Sequence, residues 1–167
     1  MNQHILEKMQ IVSAFVPFDL GTAQVGDIVS MKNYGRCAVV FFKAAGTAGD
    51  DPTITVEQVQ DVANTGSNAK ALNFTRLDIK QGAQTGIGTF TKTEVAAGNT
   101  YTNLTWAEAQ ALLVIDIKAE DLDAENGYDC VRVSCSDVGS NAQLGCALYI
   151  LHEPRYATDP LPSAIAD

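Results

Sequence analysis

A chain of 167 residues that is 46% hydrophobic and 19% charged can bury a core without disulfide or metal staples, which excludes a disordered segment and a stapled mini-domain. Its 20 Asp and Glu against 11 Lys and Arg give a net charge of -9, which argues against binding nucleic acid, because neutralising phosphates requires a basic surface. No stretch approaches the roughly 20 apolar residues of a membrane span, so no membrane partner is expected.

Residues 1–9 lack the basic and long apolar regions of a signal peptide, so the chain is expected to stay in the cytoplasm where it is made. Cys37, Cys130, Cys135 and Cys146 lie in or beside apolar strand-like runs without a Cys-x-x-Cys pair, and read as small buried hydrophobes. Residues 4–16 mix Ile5, Leu6, Met9, Ile11, Val12, Phe15 and Val16 with few charges, a pattern that suits either a short helix or an extended arm laid over a sheet. Gly21 and Gly26 then punctuate a first short strand around Ile28 and Ser30. Asn33-Tyr34-Gly35 is a turn signal, and residues 37–42 are apolar at both alternating sets of positions. That run is too short for a typical helix and predicts a central strand with both faces buried.

Residues 44–52 form a small-residue loop suited to a hairpin tip or a crossing between sheets, and residues 53–58 alternate as a half-buried strand. A loop is predicted at 64–68. Over 72–79 the inward set of residues switches near Arg76, which predicts a β-bulge. Residues 81–101 are polar and glycine-bearing, and predict a weakly packed surface hairpin. The 104–113 stretch predicts a helix, with Thr105 as cap and Glu108 completing a capping box, followed by a strand through Ile117. The acidic residues 119–126 predict a turn or a single helical turn. Residues 128–135 and 143–151 predict two strands joined as a hairpin. Beyond His152, Pro154, Pro160 and Pro162 exclude regular structure.

About eight short strands, without strand–helix alternation or an internal repeat, predict an all-β fold. The expected form is an antiparallel β-sandwich or roll of about eight strands with one or two short helices and extended terminal arms. The corresponding division is an N-terminal arm or short helix over 1–16, a β-sandwich domain over 17–152, and an extended C-terminal arm over 153–167.

Nothing in the sequence assembles chemistry. Asp121, Asp123 and Glu125 alternate as in a calcium loop, but Asn126 and Arg132 stand where such a loop needs Gly and Glu, leaving a solvated acidic turn. Neither His4 nor His152 has a nucleophile and orienting acid in its neighbourhood, and Gly86-Ile87-Gly88 matches no phosphate cradle. No catalytic residue, cofactor or metal ligand is expected. Tyr34, Phe41, Phe42, Phe74 and Tyr149 suit core packing, or a sugar-stacking face if they are exposed.

Three phrases of sequence carry a resemblance. Asp27-Ile28-Val29-Ser30-Met31-Lys32-Asn33-Tyr34-Gly35, Thr53-Ile54-Thr55-Val56-Glu57-Gln58, and Pro154-Arg155-Tyr156 with Asp159-Pro160-Leu161-Pro162-Ser163-Ala164-Ile165 resemble small structural proteins of tailed bacteriophages. The resemblance implies a non-enzymatic virion component, a capsid decoration or cement protein, with a tail or head-tail structural protein as the nearest variant. Its implied partners are the phage major capsid protein and copies of itself, with a trimer suggested. On that view Arg155, Tyr156, Leu161 and Ile165 of the C-terminal arm are the interaction residues, Leu161 and Ile165 filling pockets as the arm adds to a sheet edge. A carbohydrate-binding β-sandwich module on the virion is the reading from another class.

Overall fold

The computed structural model describes residues 4–63, 68–83, 88–106, 108–156 and 158–166. Most of the loop expected at 64–68, and Gly86 and Ile87 of the glycine stretch, lie outside the described residues. The strands are β1 (Met9–Asp19), β2 (Gln24–Ser30), β3 (Tyr34–Lys43), β4 (Thr53–Val59), β5 (Lys70–Ala71), β6 (Phe74–Gln81), β7 (Thr91–Gly98), β8 (Thr100–Thr102), β9 (Ala111–Lys118), β10 (Cys130–Cys135) and β11 (Leu144–Pro154). They form two antiparallel sheets, one in the order β1-β11-β3-β9-β6-β7 and one in the order β2-β10-β4-β5, with β8 sharing the edge of β4 that β5 also uses. Helical structure among the described residues is confined to 3-10 turns at Ile5–Glu7, Ala119–Asp121 and Ala124–Asn126. The all-β antiparallel sandwich expected from the alternation is therefore the fold.

The core forms where the inner faces meet. Cys37, Val39 and Phe41 from β3, Leu113, Ile115 and Ile117 from β9, and Ala147, Tyr149 and Leu151 from β11 pack in one buried cluster with Ile54, Val56, Val131 and Val133 of the other sheet. Period-2 alternation puts each of these sets on one side of its strand, which is why the strands can share a single apolar layer. The bulge predicted near Arg76 is present as a register shift in the β6–β7 ladder between Phe74 and Arg76, and it lets Phe74, Leu77 and Ile79 all point inward. Residues 44–52 cross from one sheet to the other, as their composition allows.

Four expectations are corrected. The boundary expected at residue 16 does not hold: after the 3-10 turn at Ile5–Glu7, the extended segment is neither a helix nor an arm laid over the sheet but strand β1, which runs through residue 16 to Asp19 and pairs with β11. The 104–113 stretch is not a helix. Asn103 accepts hydrogen bonds from the Thr105 N–H (2.9 Å) and hydroxyl (2.8 Å), which closes a local turn, and Ala111 and Leu113 belong to strand β9. The strands β10 and β11 are not a hairpin, because they lie in different sheets and face each other across the core. Finally, β3 is central as expected, between β11 and β9, but only one of its faces is covered.

Candidate functional site

Two buried polar groups hold the sandwich in shape. Tyr149 reaches from β11 across the core to the other sheet, where its hydroxyl accepts the Val133 N–H (2.8 Å) and donates to the Asp27 carbonyl (2.8 Å). It does so where the β2–β10 ladder shifts register between Arg132 and Ser134, so the phenol satisfies backbone groups that the bulge leaves without a ladder partner. Gly26 permits this crowding, since a Cβ there would stand 2.5 Å from the Val133 carbonyl oxygen. Lys43, at the end of β3, is fully buried and donates from its Nζ to the carbonyls of Ala44 (2.9 Å), Trp106 (2.7 Å) and Ala109 (2.7 Å). It thereby pins the 103–110 connection, with Trp106 packed against Phe41 and Tyr101.

These environments set a pH dependence. Burial pushes the Cys135 thiol up to about 12, and raises Cys37 and the Tyr149 phenol further. Acids kept neutral by the fold stabilise it in full below their unfolded values, near 9 for a thiol and 10 for the phenol, and that stability is lost as pH rises above them. Lys43 runs the other way. Burial lowers it to about 8 from 10.5, so the folded chain has shed a proton that the unfolded chain still holds in that window, and its contribution grows with pH there. Stability under reducing conditions is expected to hold near pH 8–9 and fall above pH 10; denaturation midpoints that keep rising beyond pH 10 would contradict this assignment.

The C-terminal arm folds back on its own chain. Ser30 N–H donates to the Ala164 carbonyl (2.7 Å), the Tyr34 hydroxyl donates to the Pro162 carbonyl (2.5 Å), and Gln10 Nε2 donates to the Leu161 carbonyl (3.4 Å). Leu161 and Ala164 are buried by these contacts. The expectation that Leu161 fills a partner's pocket is thus corrected: its pocket is in its own chain, beside the edge strands β1 and β2. Arg155, Tyr156 and Ile165 remain outward, Tyr156 and Ile165 each 62% exposed. The structure does not gather the four residues into one site.

The outer face of the six-stranded sheet carries several exposed apolar side chains. Register places its side chains in rows across the strands. One row runs Ile11, Ile150, Ala38 and Asp116, the next Ser13, Leu148, Val40, Val114 and Asp78, and the third Cys146, Phe42, Leu112 and Lys80. The apolar members lie on β1, β11, β3 and β9; Ile11, Phe42 and Leu148 are exposed, at 49%, 44% and 37%, and the others are half-buried. Pro17, Phe42, Leu144 and Cys146 line a shallow apolar depression at one end. The charged members lie to the sides, with Arg76 paired to Asp78 and Lys92 to Glu94 on β6 and β7, and Arg36 paired to Asp116 at the end where His152 stands. The sequence does not reveal this face, because a strand apolar on both sides reads as buried on both.

Among the described residues no group of three or more His, Cys, Asp or Glu is placed to hold a metal. The acidic turn is held by Asp123, which accepts from Lys70 (2.5 Å) and Asn126 (2.9 Å). Of the five aromatics considered as a sugar platform, Tyr34, Phe41, Phe74 and Tyr149 are buried and Phe42 alone is exposed, so they form no stacking surface. No family model matches the chain, and no curated protein matches it either. A similar solved structure is that of the SPBc2 prophage-derived protein YomS, at 10% identity and a TM-score of 0.44 over 85% of this chain and 92% of that one, a likeness too distant to bear on fold or function.

Proposed function

We propose that the protein is a non-enzymatic structural component of tailed-phage virions, a capsid decoration or cement protein that stabilises the head by binding other protein subunits. The observation that carries this reading is the bare apolar face of the six-stranded sheet. A contiguous apolar surface bordered by ion pairs is the mark of a protein–protein contact, and a chain that worked alone in water would have no use for it. The resemblance of the 27–35, 53–58 and 154–165 phrases to phage structural proteins supplies the setting. The outward Arg155, Tyr156 and Ile165 offer a second contact, to the major capsid protein, while Leu161 and Ala164 anchor the arm that presents them.

Pelleting the full chain with purified phage heads, and separately with tails, tests this. Saturable binding to heads is expected, and the Tyr156→Ala and Ile165→Asp variants, which disturb no core contact, should each weaken it by about tenfold, the equivalent of ~1.4 kcal/mol. Binding to tails alone would move the protein to the tail or head-tail junction; binding to neither overturns the virion reading.

A further inference from the structure

We infer that the C-terminal arm is exchangeable: the groove beside β1 and β2 that receives it also takes the arm of a second copy, making a two-fold dimer joined by reciprocal arms. The inference names a partner for this groove and does not depend on the virion reading above.

Strain sits where the arm leaves the body. Glu153, the penultimate residue of β11, has φ +55°, and no other non-glycine residue among those described has a positive φ. A side chain crowds the backbone in that region, and Pro154 asks the residue before it for an extended conformation. Glu153 thus opposes its own preference twice. Gly35 faces it from β3 and makes the bend possible, because a Cβ there would stand 3.3 Å from the Glu153 Cβ and 3.4 Å from its carbonyl oxygen. An extended Glu153 redirects everything beyond it and carries the arm off the body it started from. Strain at a short hinge is the condition that favours exchange of an element between copies.

The receiving groove is built by other elements. Gln10 of β1, Ser30 of β2 and Tyr34 of β3 each donate to a main-chain carbonyl of the arm, at Leu161, Ala164 and Pro162 in turn. Main-chain recognition, with burial of Leu161 and Ala164, takes the same segment from any copy, so the contacts of the closed form are remade in the exchanged one. Between pivot and anchor, Arg155, Tyr156 and residues 158–160 are exposed, and the swing gives up the Arg155 N–H bond to the Asn33 carbonyl (2.9 Å). The seven residues 154–160 reach at most about 25 Å when extended, so the two bodies lie side by side and each arm crosses the same gap. Reciprocal exchange closes at two copies, in place of the trimer suggested by the resemblance.

Light scattering on the full chain, refolded over a range of concentrations, follows the exchange. The wild type is expected to give a species at twice 17.8 kDa whose share rises with concentration. Glu153→Gly relieves the closed form and should lower the dimerisation constant by about tenfold, while Glu153→Val, β-branched and least tolerant of a positive φ, should raise it by about as much. Glu153 is exposed, so both variants should keep the circular dichroism spectrum of the wild type. The Ser30 N–H should exchange with deuterium as slowly in the dimer as in the monomer, because an arm fills the groove in both. Wild type and Glu153→Val both monomeric throughout, a trimer, a dimer indifferent to both substitutions, or a dimer whose Ser30 N–H exchanges freely overturns the inference. None of these readouts uses a phage particle, so a strict monomer that still binds heads would end the exchange and leave the virion reading standing.

Discussion

Replacing Tyr149 by phenylalanine is expected to destabilise the fold by about 2–6 kcal/mol, because two buried backbone groups lose their partner at ~1–3 kcal/mol apiece while the ring is kept. The groups are the Val133 N–H and the Asp27 carbonyl, both 2.8 Å from the hydroxyl and both at the irregular stretch of the β2–β10 ladder. No water can substitute at a hydroxyl attached to a fully buried side chain. The effect is on the joining of the two sheets, so urea denaturation is the measurement. A loss below ~0.5 kcal/mol, the range of ordinary surface substitutions, would mean that the bulge is satisfied in some other way.

Truncating the chain after Pro160 is expected to cost about 3–5 kcal/mol. Burial of Leu161 is worth ~1.5–3 kcal/mol, and the two hydrogen bonds that Ser30 and Tyr34 make to the arm add ~1 kcal/mol each. Tyr34 and Met31, fully or nearly fully buried in the intact chain, belong to the core that this cover protects. Thermal melts should therefore show a clearly lowered midpoint, where a dispensable tail would leave it unchanged. The Tyr156→Ala and Ile165→Asp variants separate the two roles of the arm, since neither should shift the melt by more than ~0.5 kcal/mol.

Much of the fold was legible in local pattern. The clean alternation of 53–58 and the switch of the inward set at Arg76 each encode a local geometry that is found, while at 44–52, where a hairpin tip or a crossing between sheets was open, the chain crosses. What pattern could not carry is pairing between distant segments. Residues 128–135 and 143–151 look like neighbours in sequence, yet β10 pairs with β2 and β4 while β11 pairs with β1 and β3, because the core is filled from both sides. The 104–113 stretch has a capping box and helix-forming residues, but Asn103 closes its turn and Lys43, more than sixty positions away, takes the carbonyls of Trp106 and Ala109. The same limit applies to the contact surfaces. Leu161 was recognisable as an apolar anchor, but only tertiary structure shows that Gln10, Ser30 and Tyr34 of its own chain receive the arm. For Ala38, Val40 and Phe42, the strand's apolar run suggests cover, and only the tertiary structure shows that their side of β3 is the one the other sheet leaves open.

The most direct test of the virion reading is to count this protein in tailed-phage particles purified from a strain that carries its gene, by quantitative mass spectrometry against the major capsid protein. The account predicts a fixed ratio commensurate with the head lattice, retained through density-gradient purification. A protein abundant in the infected cell and absent from the purified particles would contradict it.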